Sequence, residues 1–477
     1  MALVNKKNTL VVDLDGTLIK TDLLLESVLL LLKQNPFYLL VLPFWILKGA
    51  AYTKLAIAER VTLEVDSLPF NQQVVDYIVK QRNQGVAVYL VSGSVAPWVQ
   101  AVGAYLGCFD GCFGTKASGK NLTGINKVNF IEKELGLHQY DYLGNSTQDL
   151  PVWQHSATAL VVSSSQALLK KVKKNNTNYQ IIDQPSQKGS SIIKAMRPHQ
   201  WVKNSLICVP LLTSHQFLDF MLLLDVLFGF IAFSLVASAV YVLNDLLDLA
   251  ADRKHPTKKN RPFASGALSI LTGFWLLPCL LVVAFLISIE LPSFFQLALI
   301  GYFVLTCLYS FKLKQMVLID TVMLALLYTS RIIAGTLLIN VAFSYWLLAF
   351  SMFIFFSLAL VKRHTELIKL KQQAHSNIAG RGYELLDESI ISQLGVTSGL
   401  MAVLVLALYI TNPAIIELYR HQGVLWLACL ILLYWVSRVW LLSHRGLVDD
   451  DPILFAVKDR QSLFSGVLIF GVFVLAA

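Results

Sequence analysis

Residues Tyr241–Pro262 read YVLNDLLDLAADRKHPTKKNRP and follow directly on a long apolar run. Three aspartates, Asp245, Asp248 and Asp252, would lie within about 60° of one another on one helical face. Such carboxylates repel unless a cation lies between them, and hard oxygen ligands suit Mg²⁺. The basic residues that follow are Lys254, Lys258, Lys259 and Arg261. We therefore predict Mg²⁺ and a polyphosphate here; the alternative is a solvated helix cap with a positive loop.

The composition indicates a polytopic membrane protein joined to a soluble domain. The chain has 477 residues, of which 56% are hydrophobic and 14% charged, and its mean hydropathy is +0.60. The net charge of +9 does not favour nucleic acid as a partner, because the basic residues collect in short loops. We predict a soluble domain over residues 1–185 and a membrane domain over residues 186–477, joined by a polar linker at residues 175–189.

The first half alternates short apolar runs with helical patterns, which predicts an α/β domain with a Rossmann-type sheet. Three of the apolar runs end in polar motifs: Asp13-Leu14-Asp15-Gly16-Thr17, Ser92-Gly93-Ser94 and Gly144-Asn145-Ser146-Thr147-Gln148-Asp149. Ligands of such sheets bind at the carboxyl ends of the strands. The sequence therefore predicts a site at this edge.

These motifs, in this order over roughly residues 8–170, resemble those of the haloacid dehalogenase-like phosphatases. The resemblance implies that Asp13 is the nucleophile that takes up phosphate and that Asp15 is the general acid/base. It implies phosphate binding by Ser92 and Lys127, and Mg²⁺ binding by Asp13, Asp15, Asn145 and Asp149. The family usually has aspartate where this chain has Asn145, which lowers the expected metal affinity. A degenerate, regulatory or folding domain is the alternative.

Residues 23–70 form an insertion in the position of a helical cap. Its apolar pieces are too short for a comfortable membrane span of about 20 residues. Three structures remain open: a cap with an apolar substrate face, an interfacial helix hairpin on the bilayer, or a buried cap core. The first residues lack a signal-peptide pattern, so we expect the first domain in the cytosol.

The second half contains nine apolar segments. They cover approximately residues 201–214, 221–244, 269–290, 294–311, 317–339, 343–361, 391–411, 423–443 and 460–477. A basic loop follows every even-numbered segment, so these loops should face the cytosol. We therefore expect a multi-pass protein of the bacterial cytoplasmic (inner) membrane, with a cytosolic first domain and an external C-terminus.

The same face would carry further charged residues. Lys203 lies before the first span, Lys362 and Arg363 end the sixth, and the run Asp449–Pro452 precedes the ninth. Asp320 and Arg331 are eleven residues apart on one helical face, about 20° from each other. A charged Arg331 within an apolar segment must face the bundle interior. Each loop alone is also explained by its role in membrane topology.

The second half resembles the UbiA-type superfamily of intramembrane prenyltransferases over about residues 190–477. The motif that carries the resemblance is Asn244-Asp245-x-x-Asp248-x-x-x-Asp252, followed by Lys258 and Arg261-Pro262. The resemblance implies an all-α domain of about nine helices around a cavity that opens to lipid. It also implies Mg²⁺ and a diphosphate at the cytosolic mouth.

Details of the loops are similar to the branch of polyprenyl-phosphate phosphoribosyltransferases. These details are RPHQWVKN, HPTKKNRP, YSFKLK, KRHTEL and DDDP. Aromatic prenyltransferases of the superfamily carry a second motif with two aspartates four apart, whereas here Asp320 is followed at that spacing by Leu324. The resemblance therefore implies Mg²⁺-dependent transfer of phosphoribose from phosphoribosyl pyrophosphate to a polyprenyl phosphate.

In that reaction Asp245 and Asp248 would be the catalytic carboxylates, and the other expected roles fall into three groups. The metal ligands would be Asn244, Asp245, Asp248, Asp252 and Asp320. The donor phosphates would meet Lys203, Lys258 and Arg261, and the prenyl phosphate would meet Arg331, Lys362 and Arg363. Asp320 is alternatively the partner of Arg331.

The fused phosphatase would remove the 5-phosphate of the product. Competing functions are prenyl transfer from a polyprenyl diphosphate to an aromatic acceptor, and a non-enzymatic membrane scaffold.

Overall fold

A computed structural model describes most of the chain and divides it into two compact units. The described residues are 9–116, 121–176, 178–183, 189–214, 216–372, 382–412, 419–448 and 451–476. The first unit contains residues 1–196 and 241–278, and the second contains residues 197–240 and 279–477. The predicted domain boundary at residue 185 and the aspartates Asp449 and Asp450 lie outside the described residues.

The first unit is built on a six-stranded parallel sheet, which confirms the predicted α/β domain. The strands are β1 (Thr9–Val12), β2 (Val88–Val95), β3 (Gly111–Thr115), β4 (Tyr140–Gly144), β5 (Thr158–Val162) and β6 (Tyr179–Asp183). Their order is β3-β2-β1-β4-β5-β6. The strands are apolar because both faces of the sheet are covered. The carboxyl ends of the central strands β1, β2 and β4 therefore meet at one edge.

Helices cover the sheet and form the cap insertion. Around the sheet lie the helices Gln72–Asn83, Ala96–Leu106, Ile125–Asn129, Leu150–His155 and Gln166–Asn175, and the short helix Ser190–Met196 follows in the chain. The insertion forms three helices, Leu23–Gln34, Tyr38–Leu47 and Ala50–Ala58. We call the first of these the cap helix. The second buries only Leu42 and Trp45 and exposes Phe37, Leu39, Leu40, Phe44, Ile46 and Leu47 on and before it. A fully buried cap core is therefore wrong for this helix.

Long apolar helices form the membrane part of the chain. They are Phe220–Leu247, Ile270–Ser288, Ser293–Phe311, Ile319–Leu338, Tyr345–Gln372, Glu388–Ile410 and Gln422–His444. The helices Pro452–Lys458 and Arg460–Ala476 are bent by 82° at their junction and count as one further candidate span. The described residues thus contain seven or eight candidate spans. The predicted number of about nine membrane helices was therefore approximate. The predicted all-α membrane domain is confirmed.

The first predicted segment has an unexpected form. It is a 3₁₀ helix over Pro198–Cys208, followed by the short α-helix Val209–Thr213, and is too short to count among those candidate spans. It packs against the helix Ile319–Leu338, where a Cβ atom on Gly335 would lie 2.2 Å from the carbonyl oxygen of Ile207. Only glycine permits this approach of two backbones. The 3₁₀ helix therefore lies deep beside a membrane-spanning helix.

Candidate functional site

A cavity of about 640 Å³ opens at the carboxyl edge of the sheet. The six residues that the phosphatase resemblance implies all line it: Asp13, Asp15, Ser92, Lys127, Asn145 and Asp149. They come from the ends of β1, β2 and β4 and from the helix Ile125–Asn129. The parallel sheet brings together residues that lie far apart in the sequence.

A chain of polar contacts crosses the floor of this cavity. Lys127 Nζ donates hydrogen bonds to Asp13 Oδ1 and to the Tyr142 hydroxyl, each at 2.8 Å. The Tyr142 hydroxyl donates to Asp149 Oδ1 at 2.7 Å. Lys127, Tyr142 and Asp149 are buried, so these contacts act in a low dielectric. They fix the ammonium group of Lys127 beside the carboxylate of Asp13.

Asp15 is held by three donors. Its Oδ1 accepts from the backbone N–H of Leu23, at the start of the cap helix, at 2.9 Å. Its Oδ2 accepts from the hydroxyls of Ser94 at 2.6 Å and Ser92 at 3.2 Å. The predicted phosphate-binding residue Ser92 thus contacts the predicted general acid. These bonds orient Asp15 into the same cavity as Asp13.

The cavity offers oxygen ligands that fit Mg²⁺. Asp13 Oδ2 and Asn145 Oδ1 accept no hydrogen bond within the described ranges, and both residues line the cavity. Both carboxylate oxygens of Asp149 accept hydrogen bonds, including those from the backbone N–H groups of Asn145 at 3.0 Å and Ser146 at 2.9 Å. These contacts favour a role for Asp149 in positioning the loop of Asn145 and Ser146. Binding of Mg²⁺ by Asp149 and by Asp15 stays a prediction.

Burial sets the protonation of this site. It raises the pKa of Asp13 to about 7, although Lys127 opposes the shift. Burial and the neighbouring Asp15 raise the pKa of Asp22, at the start of the cap helix, to about 6. Burial also lowers the pKa of Lys54, whose Nζ donates to the carbonyl of Gly93 at 2.5 Å. The cavity therefore holds groups that titrate near neutrality, as enzyme active sites often do.

Sequence reasoning missed four residues of this cavity region: Asp22, Lys54, Ser94 and Tyr142. Ser94 is two residues after Ser92 on the same strand, so alternation along the strand places both hydroxyls on one face. Tyr142 lies on β4 just before the Gly144–Asp149 motif. Asp22 and Lys54 give no such signal, because the cap helices bring them to the cavity only in the folded unit.

One wall of the cavity comes from the segment after the Tyr241–Pro262 stretch. Gly266, Ala267, Ser269 and Ile270 line it. Ile270 is the first residue of the helix Ile270–Ser288, a candidate membrane span. The cavity thus lies beside the first residue of a candidate membrane span.

The Tyr241–Pro262 stretch, here called the aspartate segment, is not one continuous helix. The long helix ends at Leu247, and Asp248 caps a second helix, Leu249–Lys254. Asp245 and Asp252 are both buried and contact the same Arg261 Nη1, at 3.2 and 2.5 Å. Two carboxylates that converge on one cation fit Mg²⁺ as well, because both supply hard oxygen ligands.

Asp248 has a different partner. Its Oδ1 accepts from Lys33 Nζ of the cap helix at 2.9 Å. Asp248 thus contacts the cap helix, whereas Asp245 and Asp252 contact Arg261. The backbone N–H groups of Asp248 and Asp252 still donate to the carbonyls four residues earlier, so the shared face of the three aspartates stays a prediction. Asn244 precedes the break, and Lys258 lies half-buried in the turn Lys258–Asn260 with no ion pair to the described residues. Lys258 is therefore available for a phosphate, whereas Arg261 holds two carboxylates.

A second, buried ion pair joins the same two elements. Arg253 donates from Nη1 and Nη2 to the two carboxylate oxygens of Glu26, at 3.0 and 2.6 Å. Each side chain is only 7% exposed. The cap helix therefore contacts Asp15 at its first residue and the aspartate segment at Glu26 and Lys33. Its twelve residues are too few for sequence patterns to reveal these contacts.

In the second unit, Arg331 is buried in the helix Ile319–Leu338. Its Nε donates to Asn204 Oδ1 at 2.9 Å and its Nη2 to the Tyr302 hydroxyl at 3.1 Å. Phe233, Tyr302 and Tyr328 place their rings within 5.4 Å of the guanidinium. No described carboxylate pairs with Arg331. A buried cation with neutral partners is suited to an anionic ligand.

The other charged residues of this unit have different surroundings. Arg363 is fully buried between Asp320, at 2.7 Å, and Glu366, so it is not an open phosphate site. Asp320 is about 16 Å from Arg331 along their helix, and the proposed pair of these two is wrong.

Lys203 contacts Asp451, whose pKa is lowered by Lys203 and Lys362 against the effect of burial. Lys362 forms no ion pair with the described residues.

Family comparisons agree with both halves. Residues 205–457 match the UbiA prenyltransferase family, and residues 10–154 match the haloacid dehalogenase-like hydrolases. The helices and the family together establish a multi-pass membrane protein.

Several relatives are similar to this chain. The uncharacterized protein y4nM of Sinorhizobium fredii is 36% identical over 99% of this chain and 92% of its own length. The nodulation protein NoeC of Azorhizobium caulinodans is 37% identical over 57% of this chain and 88% of its own length. A decaprenyl-phosphate phosphoribosyltransferase of Mycobacterium tuberculosis is 32% identical over 38% of this chain and 62% of its own length. This chain thus spans less than two thirds of that transferase.

Among solved structures, a UbiA homologue of Archaeoglobus fulgidus bound to DMAPP and Mg²⁺ is 13% identical, with a TM-score of 0.46. It covers 60% of this chain and 99% of its own. The family match over more than half of the residues, and the relative that aligns over nearly the whole length, settle the assignment: this enzyme belongs to the UbiA prenyltransferase family and carries an N-terminal haloacid dehalogenase-like hydrolase domain.

Proposed function

We propose that this protein transfers phosphoribose from phosphoribosyl pyrophosphate to a polyprenyl phosphate. The observation that carries the proposal is the convergence of the buried Asp245 and Asp252 on a single cation. The loop motifs and the relatives named decaprenyl-phosphate phosphoribosyltransferase support this donor and acceptor. The absence of a second carboxylate four residues after Asp320 separates the chain from the aromatic prenyltransferase pattern.

In the proposed reaction, Asn244, Asp245, Asp248 and Asp252 would hold Mg²⁺ with the pyrophosphate of the donor. Bound Mg²⁺ would withdraw negative charge from the leaving pyrophosphate. Arg261 then exchanges its carboxylate partners for a phosphate oxygen, and Lys258 contacts the same group. Lys33, which donates to Asp248 at 2.9 Å, would give up this contact where Asp248 is a metal ligand.

The acceptor is a prenyl phosphate that enters from the bilayer. Arg331, with no carboxylate partner in the described part of the second unit, binds its phosphate, and Lys362 is a further cation for it, whereas Lys203 stays a candidate for the donor phosphates. An oxygen of the prenyl phosphate attacks C1 of the ribose as the bond from C1 to pyrophosphate breaks. The products are a polyprenyl-phosphoryl phosphoribose and inorganic pyrophosphate.

The hydrolase domain removes the 5-phosphate from this product. An oxygen of Asp13 attacks the phosphorus, and the ester oxygen leaves with a proton from Asp15. Water then hydrolyses the acyl-phosphate and restores the carboxylate. Lys127, 2.8 Å from Asp13, stabilises the charge on the phosphoryl oxygens. Asp13 and Asn145 would hold Mg²⁺ there.

Two observations support a lipid-linked substrate for the hydrolase domain. The cavity reaches Ile270, at the beginning of a candidate membrane span. The cap also exposes the apolar helix Tyr38–Leu47, which is ten residues long and suited to lie on a bilayer surface. Attachment to one chain raises the effective concentration of the product at the second site.

We place the protein in the bacterial cytoplasmic membrane with its first domain in the cytosol. The basic loops support this orientation. An external C-terminus requires an odd number of crossings, so when the bent pair Pro452–Lys458 and Arg460–Ala476 is counted as the eighth span, the segment Pro198–Thr213 crosses as well. A 3₁₀ helix rises about 2 Å per residue, so this segment extends about 30 Å, near the thickness of the hydrocarbon core. Reporter fusions at the C-terminus would test the orientation.

The decisive experiment uses the full chain in lipid nanodiscs with Mg²⁺, labelled phosphoribosyl pyrophosphate and a polyprenyl phosphate. Mass spectrometry of the lipids should find polyprenyl-phosphoryl ribose with the wild type and the 5-phosphorylated form with Asp13→Asn. Asp245→Asn should lose both products. Retained transfer by Asp245→Asn contradicts the metal role, and a 5-phosphate kept by the wild type and Asp13→Asn alike contradicts the coupling.

Prenyl transfer from a polyprenyl diphosphate to an aromatic acceptor is the second candidate, because it is the activity named in the family description. A parallel reaction with polyprenyl diphosphate and an aromatic acid would separate the two. Product formed only in that reaction would replace the phosphoribosyl proposal.

A further inference from the structure

Three residues of the second unit form a cluster that the proposed reaction does not use. His364 lies on the helix Tyr345–Gln372, Glu388 begins the helix Glu388–Ile410, and His444 ends the helix Gln422–His444. One ligand atom of each lies within 4.8 Å of the other two. The cluster thus brings the start of one long helix and the end of another to a residue about two turns before the end of a third.

The orientation of His364 is fixed by hydrogen bonds behind it. The residue is fully buried, and its Nδ1 lies 2.8 Å from the hydroxyl of Ser443. That hydroxyl lies 3.2 Å from the hydroxyl of Thr365. A Nδ1–H that donates to Ser443 leaves Nε2 with a free electron pair. Metal-binding histidines are held in this way by a donor contact from the second ring nitrogen.

The Nε2 atom of His364 is buried and has no hydrogen-bond partner among the residues that the structure describes. Its nearest carboxylate oxygen, Glu388 Oε1, is 3.8 Å away, which is too long for a hydrogen bond. A buried polar atom without a partner is costly, and natural proteins rarely leave one. A ligand between Nε2 and the carboxylate would satisfy it.

The neighbours are arranged to complete such a site. Glu388 Oε2 accepts from Lys371 at 2.9 Å, which turns Oε1 towards His364. The ring of His444 stacks beside that of His364, with centroids 5.8 Å apart, and His444 is exposed. The solvent side therefore remains open for a water ligand.

We propose that His364, Glu388 and His444 bind a divalent transition-metal ion of the Zn²⁺ class. Two imidazole nitrogens, one carboxylate oxygen and a water give the four ligands that Zn²⁺ prefers. Mg²⁺ and Ca²⁺ do not fit, because they select oxygen ligands. With bonds of about 2.1 Å, tetrahedral ligand atoms lie about 3.4 Å apart, so the side chains close by about 1 Å on binding.

The ion would fix the part of the helix Tyr345–Gln372 that carries Lys362 and Arg363 to the helices Glu388–Ile410 and Gln422–His444. It is a structural ion, separate from the carboxylate sites of the aspartate segment. The proposal is independent of the transferase reaction and of its donor.

The test uses the full chain, purified without a histidine tag and stripped with a chelator. Zn²⁺ or Co²⁺ is then titrated in the presence of excess Mg²⁺, which saturates the carboxylate sites. The wild type should bind one equivalent, and bound Co²⁺ should show the visible absorption of a tetrahedral complex. His444→Ala should weaken binding at least tenfold and remove this absorption.

His421→Ala is the matched control, because His421 is an exposed histidine at the opposite end of the same helix. It should bind Co²⁺ like the wild type. His444 is itself exposed, so its replacement should leave the fold intact, as circular dichroism can check. Equal binding by His444→Ala and His421→Ala, or no binding by the wild type, overturns the proposal.

Discussion

Glu26→Ala should strongly destabilise the first unit. It removes the carboxylate that Arg253 contacts through two hydrogen bonds of 2.6 and 3.0 Å. Both side chains are 7% exposed, so the variant leaves a guanidinium buried without its counter-ion. Removal of one partner from such a pair costs about 3–5 kcal/mol of unfolding free energy. For a unit of this size, 3 kcal/mol corresponds to a fall in Tm of about 6–12 °C.

The assay is the thermal unfolding of the full chain in detergent, followed by tryptophan fluorescence. Glu64→Ala is the matched control, because Glu64 pairs with Lys254, the neighbour of Arg253, and both side chains are at least half exposed. Solvent screens this pair, so the control should unfold like the wild type. Adding Arg253→Met to Glu26→Ala should recover part of the loss. The reasoning is refuted if Glu26→Ala lowers Tm no more than Glu64→Ala does.

Three further predictions concern activity. Burial raises the pKa of Asp13 to about 7, so the ionised nucleophile is lost as the pH falls. At limiting Mg²⁺, kcat/KM for p-nitrophenyl phosphate should therefore decline below about pH 7. Saturating Mg²⁺ should move the midpoint of this decline to a lower pH, because the cation favours the ionised carboxylate. A pH-independent rate would contradict this. Tyr142→Phe should lower the phosphatase kcat about 10- to 100-fold, because it removes the hydrogen bonds with Lys127 and Asp149, which are worth about 1.5–3 kcal/mol. An unchanged kcat would show that Tyr142 has only a packing role. Arg331→Lys should raise the KM for polyprenyl phosphate about tenfold, because lysine cannot reproduce the guanidinium geometry. The KM for phosphoribosyl pyrophosphate should stay unchanged. Equal changes in both KM values would indicate a general structural defect and contradict the prediction.

Much of the fold could be predicted because its signals are local. The strands β1, β2 and β4 are apolar runs that end in polar motifs, and parallel pairing brings the ends of these runs to one edge. The prediction of long membrane helices rests on length and hydropathy alone. The first segment was harder, because no local pattern in the sequence indicates its 3₁₀ form or its close backbone contact between Ile207 and Gly335.

The site residues divide in the same way. The sequence by itself predicted which carboxylates and cations would serve each chemistry, because Asp13, Asp15 and Asp245 lie in short motifs whose spacing has a physical meaning. Tertiary structure alone decided which cation each carboxylate meets. Glu26 and Arg253 are 227 residues apart, and Lys33 and Asp248 are 215 apart. No periodicity extends over such distances, and these ion pairs form only when the cap helix packs beside the aspartate segment.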